Sequence, residues 1–140
     1  GVTHEGRSSI LATTGNPDCH IILRGGETGP NYDPASIEVV AELMNEANLK
    51  PRIIIDCSHA NSGGNYERQI GIATDIAERI KDGEQHIIGL MLESNLIADR
   101  QNLIDGMTLA YGQSVTDACL GWDDSELLIR DLAKETRDPK

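Results

Sequence analysis

The 140 residues carry 23 acidic and 12 basic side chains, which gives a formal net charge of −11, and 39% of the residues are apolar. This length and composition are typical of one compact globular domain. The negative charge, with no basic stripe, argues against nucleic-acid binding, and no apolar run is long enough to cross a membrane. We therefore expect neither nucleic acid nor membrane as a partner.

Residues 1–18 are expected to be a polar lead-in, and residues 19–140 the body of a single domain. Because the chain begins with Gly1 rather than Met and starts in mid-pattern, we expect a fragment or a processed product. Residues 19–24 predict a first buried strand, followed by a flexible glycine-rich loop over residues 25–30. Arg24 stands at the carboxyl end of that strand, where reactive side chains gather in parallel α/β folds. A surface ion pair is the alternative for this arginine.

A helix is predicted after the loop, with Asp33 as its N-cap and Pro34 at its first position. The second strand contains three consecutive isoleucines, which favours burial on both faces. Polar residues follow it abruptly in the order Asp56, Cys57, Ser58, His59. A histidine at this end of a strand is a candidate ligand or acid/base, and a structural histidine with satisfied hydrogen bonds is the alternative.

A second helix is predicted over about residues 66–80, and a third strand over residues 86–92 ends at Glu93. The polar connection that follows is nearly thirty residues long and contains Asp117, and its length predicts a functional loop. Residues 123–126 are typical of a capping box at the start of a last helix. The apolar stripes expected to face the core are Ile37, Val40, Ala41 and Met44 in the first helix, Ile70, Ala73, Ala77 and Ile80 in the second, and Leu128, Ile129 and Leu132 in the last.

The order β-α-β-α-β-loop-α predicts an α/β fold with about three βα units, which is part of a TIM (β/α)₈ barrel. Arg24, His59 and Glu93 follow the three strands, and Asp117 lies on the loop that leaves the same face. The His, Glu and Asp side chains form a nitrogen and oxygen ligand set that suits Mn²⁺, Fe²⁺, Co²⁺ or Zn²⁺. The alternatives are that Glu93 is a solvated loop carboxylate and that Asp117 caps a helix or a turn.

A phosphate site is predicted beside this ligand set. Arg24 offers a planar guanidinium, and Gly25 and Gly26 are expected to offer free backbone N–H groups. The three cysteines Cys19, Cys57 and Cys119 are widely spaced and odd in number. This pattern predicts buried thiols in a reducing compartment without a disulfide.

Five segments, spread in order over nearly the whole chain, carry a family resemblance, and they are residues 15–16, 18–26, 56–61, 89–94 and 109–122. They resemble the carboxyl-terminal half of class I 3-deoxy-D-arabino-heptulosonate 7-phosphate (DAHP) synthases, the microbial type regulated by aromatic amino acids. The resemblance implies a TIM-barrel transferase of the cytoplasm that condenses phosphoenolpyruvate with erythrose 4-phosphate. That reaction is the first step of the shikimate pathway to aromatic amino acids.

The resemblance also implies roles for individual residues. His59, Glu93 and Asp117 match three of the four ligands of the family's divalent metal. The fourth is a cysteine on an earlier strand, and Cys57 is not that cysteine. Arg24 matches a residue that binds the phosphate of phosphoenolpyruvate. His59 is also expected to act in catalysis, contacting the substrate carboxylate or moving a proton with a free ring nitrogen.

Two hypotheses follow for the 140 residues. In the first they are a piece of the enzyme that lacks activity alone, because one metal ligand and most phosphate-binding cations lie upstream in the family. In the second they are a stable half-barrel without catalysis that associates with itself. Three parallel strands cannot close a barrel, so the exposed strand edges predict a homo-oligomer or pairing with an amino-terminal half.

Overall fold

A computed structural model describes residues 1–136, and the end of the charged tail, residues 137–140, lies outside the described residues. Three parallel strands form the main sheet in the order β1 (Ile21–Leu23), β2 (Ile53–Asp56) and β3 (Ile87–Met91). Helix α1 (Pro34–Glu46) connects β1 to β2, and α2 (His59–Ser62) and α3 (Arg68–Lys81) connect β2 to β3. The predicted succession of three βα units is confirmed.

Helix α1 begins as the sequence predicts. Asp33 is the N-cap and its Oδ1 accepts a hydrogen bond of 3.1 Å from the backbone N–H of Ser36, with Pro34 in the first turn. Ile37, Ala41 and Met44 are buried on one side of this helix. The helix therefore packs its apolar side against the sheet.

The core lies between one face of the sheet and the helices. Ile53 and Ile55 of β2 point into it and are fully buried. Alternate residues point the other way, because side chains on a strand alternate between its faces. The main contributors from the other elements are Leu23, Ile37, Ala41, Met44, Ile72, Ala73, Ile76, Leu120 and Leu128.

The second face of the sheet is only partly covered by the described residues. Ile22 is 41% exposed, and Ile54 beside it is half-buried. The prediction that the first strand is buried is therefore wrong for Ile21 and Ile22 of β1, which are both exposed. Ile22 is paired in register with Ile54, and Arg24 and Asp56 continue the same two rows. The carboxyl end of the sheet, which carries Arg24 and Asp56, thus adjoins an apolar, half-open face.

The apolar stripe of α3 differs from the prediction. Ile70 is exposed, and the buried side consists of Gln69, Ile72, Ala73, Ile76 and Ala77. A polar residue takes a core position because the Gln69 side chain hydrogen-bonds the backbone of Glu93. A count of apolar residues alone could not place Gln69 inside.

The last helix, α4 (Trp122–Glu135), begins before the predicted capping box. Gly121 is its N-cap, and Asp123 and Asp124 lie in its first turn. Ser125 is buried, and its Oγ donates to the Gly121 carbonyl at 2.7 Å. Leu128 is buried as predicted, whereas Ile129 is exposed.

The long connection is not an unstructured loop. It contains β4 (Ile97–Arg100) and β5 (Gln113–Ser114), which pair in parallel as a second, two-stranded sheet. Among the cysteines, Cys57 and Cys119 are buried and free as predicted, but Cys19 is exposed and free. None of the helices in residues 1–136 combines the length and the apolarity that crossing a membrane requires.

Candidate metal and anion site

Three side chains from separate parts of the sequence meet at the carboxyl end of the main sheet. His59 is the first residue of α2, three residues after β2 ends, and Glu93 lies two residues beyond β3. Asp117 belongs to the segment between β5 and α4. One ligand atom each from His59, Glu93 and Asp117 lies within 4.8 Å of the others. The structure thus brings together the three side chains that the sequence analysis named as candidate ligands.

The two distances from the His59 imidazole suit one cation. His59 Nε2 lies 3.4 Å from Glu93 Oε1 and 3.9 Å from Asp117 Oδ2. Two atoms that share an ion at roughly 2.0–2.2 Å can be at most about 4.4 Å apart. One imidazole nitrogen and two carboxylates also form a donor set that first-row divalent metals accept. The residues present therefore fit a divalent cation.

Glu93 is held by both its side chain and its backbone. Ser58 Oγ donates to Glu93 Oε2 at 2.5 Å, which leaves Oε1 as the oxygen nearest His59. The side chain of Gln69 accepts from the Glu93 N–H at 2.8 Å and donates to its carbonyl at 3.2 Å. The N–H of Leu120 donates to the same carbonyl at 2.9 Å. These contacts fix the end of β3 before any ligand arrives.

His59 is held by the strand that precedes it. Its Nδ1 lies 2.7 Å from Oδ2 of Asp56, a residue with no solvent exposure. The expectation of a free ring nitrogen is wrong in this structure, since Nδ1 is bonded and Nε2 faces Glu93 and Asp117. His59 also has a left-handed backbone, with φ of 47°. Such a conformation is uncommon outside glycine and is often found at functional sites.

Asp117 is held less tightly than the other two. Its side chain is 65% exposed, and its position depends on the pairing of the next residues with β4. The N–H of Asp99 donates to the Cys119 carbonyl at 2.8 Å, and the N–H of Cys119 donates back at 3.3 Å. This side of the site is therefore open to solvent.

Arg24 reaches the same strand ends, but the two glycines beside it do not offer free donors. Arg24 Nε lies 3.9 Å from Asp56 Oδ2, and the arginine side chain is 57% exposed. The N–H of Gly25 donates to Asn31 Oδ1 at 2.7 Å, and the N–H of Gly26 donates to the Gly29 carbonyl at 3.0 Å. The prediction of free backbone donors is wrong, because the loop uses them to hold its own shape.

Gly25 instead allows a close approach between two turns. It has φ of +75°, and a Cβ at this position would meet Ala60 Cβ at 2.8 Å and the backbone of residues 60–61 at 2.9 Å. The Asn61 side chain joins the same turns, since its Nδ2 donates to the carbonyls of Leu23 at 3.0 Å and Asp56 at 2.8 Å. The β1 and β2 ends are thus locked together.

A cavity of about 690 Å³ opens in front of the cluster. Its lining combines the three clustered side chains with residues of the second sheet, among them Asp99 and Arg100. Asp99 has φ of 68°, so two of the three non-glycine residues with positive φ in residues 1–136 line this cavity. The lining carries three carboxylates, one arginine and one histidine, and this excess of negative charge favours a cation over an anion at this point.

Cys57 does not take part in the cluster. Its side chain is buried in the core, and burial, followed by the neighbouring Asp56 carboxylate, raises the pKa of the thiol to about 12. A metal ligand must be a thiolate. Burial also raises the pKa of Cys119. The exclusion of Cys57 as a ligand therefore agrees with its surroundings.

Some residues of the site had no assigned role in the sequence analysis. Asp56 and Ser58 carried a usable signal, because both lie in the polar run at the carboxyl end of β2. Gln69 and Asp99 carried none. Gln69 looks like a surface position of a helix, and Asp99 lies in a strand too irregular to predict.

Comparison with known proteins identifies relatives over nearly the whole chain. Residues 2–130 match the DAHP synthetase I family. A phospho-2-dehydro-3-deoxyheptonate aldolase of Haemophilus influenzae is 46% identical over 132 residues, which cover 94% of this chain and 36% of that protein. The Phe-sensitive phospho-2-dehydro-3-deoxyheptonate aldolase of Escherichia coli K12 is 46% identical over 136 residues, 97% of this chain and 39% of that protein.

A solved structure gives the same result for the fold. The phospho-2-dehydro-3-deoxyheptonate aldolase of Francisella tularensis SCHU S4 superposes with a TM-score of 0.89 at 37% sequence identity. The match covers 99% of this chain and 40% of that one. The 140 residues therefore span about two fifths of the length of the proteins they resemble.

Proposed function

The chain belongs to the DAHP synthetase I family, and we propose that it is part of a DAHP synthase. The reaction proposed is the condensation of phosphoenolpyruvate with erythrose 4-phosphate, the first step towards aromatic amino acids. Family membership supports the reaction class, and the three free cysteines agree with a cytoplasmic location. The observation that carries the proposal is the convergence of His59, Glu93 and Asp117 on one point.

We propose that these three side chains hold a divalent cation, Mn²⁺, Fe²⁺, Co²⁺ or Zn²⁺. When bound, the cation would supply a Lewis acid for the oxygen of the aldehyde substrate. His59 contributes Nε2, and Ser58 keeps one oxygen of Glu93 turned towards it. Because Nδ1 of His59 is engaged by Asp56, the catalytic role of His59 in this proposal is that of a ligand.

Arg24 is proposed to bind the phosphate of phosphoenolpyruvate. Its side chain is more than half exposed and stands beside the cluster, with Asp56 between the two. Gly25 and Gly26 serve this site by shaping the loop that follows Arg24, not by donating hydrogen bonds to the anion. A planar guanidinium suits a phosphate group because two of its N–H groups can meet two oxygens.

The fold that goes with this function is the (β/α)₈ barrel. Residues 1–18 would be the lead-in, and residues 19–140 would supply about three βα units. The half-open face below Arg24 and Asp56 supports this, because the inner face of a barrel strand is covered only when the remaining strands are present. The same exposed face favours a second candidate for the 140 residues alone, a non-catalytic half-barrel that associates with itself.

The test of the proposed reaction uses the protein that carries these residues. Consumption of phosphoenolpyruvate in the presence of erythrose 4-phosphate should stop after treatment with EDTA and return with Mn²⁺. Arg24→Ala should raise the KM for phosphoenolpyruvate, whereas Arg52→Ala, at the opposite end of the sheet, should leave it unchanged. Activity that survives thorough chelation, or an unchanged KM in Arg24→Ala, would refute the corresponding assignment.

The second candidate is separated from the first by the isolated 140 residues. We expect no turnover from this chain, and sedimentation should show a species larger than the monomer because self-association covers the open face. A monomer without activity would exclude the self-associating module. Turnover by the chain alone would refute the expectation that these 140 residues lack part of the catalytic machinery.

A further inference from the structure

Asp56 is a fully buried carboxylate to which neither the sequence nor the proposed function gives a role. Burying a carboxylate is costly unless hydrogen bonds and charges compensate it. Its Oδ1 accepts from the N–H of Ser58 at 2.8 Å, and its Oδ2 lies 2.7 Å from His59 Nδ1. Oδ2 is also 3.9 Å from Arg24 Nε. Every contact therefore directs this carboxylate towards the site.

The contact with His59 determines which ring nitrogen carries the proton. A carboxylate can only accept, so Nδ1 must donate, and a neutral imidazole then has its lone pair on Nε2. The opposite tautomer would place a proton between Nε2 and Glu93 Oε1, but that separation is 3.4 Å. The shorter contact of 2.7 Å to Asp56 is the stronger hydrogen bond, so it sets the tautomer.

We propose that Asp56 is the positioning residue of this site, fixing the His59 ring and its Nδ1–H tautomer so that the Nε2 lone pair points at the cation. The part that concerns the cation rests on the proposed function. The part that concerns the tautomer rests on the hydrogen bonds alone. Arg24 supports Asp56 in this role by balancing its charge.

Asp56→Asn gives a directed test, because the amide can fit in only one way. The N–H of Ser58 still requires an oxygen, so Asn Oδ1 must face Ser58 and its NH₂ must face His59. Nδ1 then has to accept, and the proton moves to Nε2. The backbone carbonyl of residue 56, which accepts from Asn61, is unchanged. Mn²⁺ affinity should fall by about 10–100-fold, which is the usual effect of losing the residue that hydrogen-bonds a metal-ligating histidine.

The experiment uses the 140-residue chain without metal, at alkaline pH where imidazoles are neutral. Long-range ¹H–¹⁵N spectra distinguish a protonated from an unprotonated ring nitrogen, and His59→Gln identifies the signals of His59. We expect Nδ1–H in the native chain and Nε2–H in Asp56→Asn. Asp18→Asn, which changes an exposed carboxylate, should alter neither the tautomer nor Mn²⁺ binding measured by calorimetry.

Each outcome decides a separate question. An Nε2–H tautomer in the native chain overturns the proposal, and so does an Nδ1–H tautomer that persists in a folded Asp56→Asn. If Asp56→Asn does not fold, the native tautomer still decides. A native chain with Nδ1–H that fails to bind Mn²⁺ refutes the metal site of the proposed function but leaves the positioning of His59 by Asp56 intact.

Discussion

The candidate site has two halves that are built differently. The half contributed by β2, α2 and β3 holds His59 and Glu93 with buried partners, namely Asp56, Ser58 and Gln69. The half contributed by the second sheet presents Asp117 on an exposed segment. Rigid partners fix a ligand in advance, whereas an exposed carboxylate can adjust to what binds. We therefore expect mutations in the first half to disturb both stability and binding, and mutations in the second to leave stability almost unchanged.

The largest effect is expected from His59→Gln. It removes the only nitrogen ligand and the partner of a buried carboxylate, so Mn²⁺ binding to the 140-residue chain should fall below detection by calorimetry. His20→Gln changes an exposed histidine far from the site in sequence and should bind as the native chain does. Equal affinity of the two variants would remove His59 from the ligand set.

Gly25→Ala should destabilise the first half by about 2–4 kcal/mol, because it adds a clash to a strained backbone. Gly26→Ala is a matched control, since its φ is not in the left-handed region and nothing lies within 4 Å of a Cβ there. Gly26→Ala should change the free energy of unfolding by no more than about 0.5 kcal/mol. Urea unfolding followed by circular dichroism measures both, and similar midpoints would show that the contact between residues 25 and 60 is not tight.

Two glutamines allow the halves to be compared directly. Gln69 is buried and bonds the backbone of Glu93, whereas Gln101 bonds the backbone of Ala110 and Gln113 near solvent. Gln69→Leu should cost about 1–3 kcal/mol, because it leaves the N–H of Glu93 without its partner and removes one of the two donors to the Glu93 carbonyl. Gln101→Leu should cost less, since water replaces the lost bonds. If urea unfolding gives the reverse order, the second sheet is the more firmly built half.

The smallest effect is expected from Asp99→Gly in the second half. Glycine adopts a φ of 68° without strain, so unfolding free energy should stay equal or rise by up to about 1 kcal/mol. Asp105→Gly is the control, because Asp105 does not have a positive φ, and glycine there should lower stability by a few tenths of a kcal/mol, about 0.5 at most. A marked loss in Asp99→Gly would mean that the Asp99 side chain holds the cavity wall.

The sequence predicted the first half better than the second for a physical reason. Three consecutive isoleucines indicate β2, and polar residues follow it directly. The position of His59 at the carboxyl end of β2 can therefore be predicted from its neighbours in the chain. β4 and β5 are four and two residues long, and their pairing depends on partners far away in the sequence. The tautomer of His59 and the inward position of Gln69 likewise depend on tertiary contacts, which no local pattern contains.

The same distinction explains the errors. Gly25 and Gly26 suggested free donors because glycine-rich loops often bind anions, but the acceptors that occupy their N–H groups, Asn31 and Gly29, became visible only in the folded loop. Arg24 remains the proposed anion-binding residue because its exposure and position do not depend on those donors. The local sequence thus indicated which end of the sheet carries the candidate site, and the fold determined which of its hydrogen-bonding groups are free to bind a ligand.

The contact between Gly25 and Ala60 has a consequence for sequence variation. Because a Cβ on residue 25 would lie only 2.8 Å from the Cβ of Ala60, residues 25 and 60 cannot vary independently. In a library that randomises positions 25, 26 and 60 together, selection for folded chains should recover glycine at position 25 and small residues at position 60, while position 26 accepts many types. Such a selection would reveal the closest approach between two turns without any structural measurement.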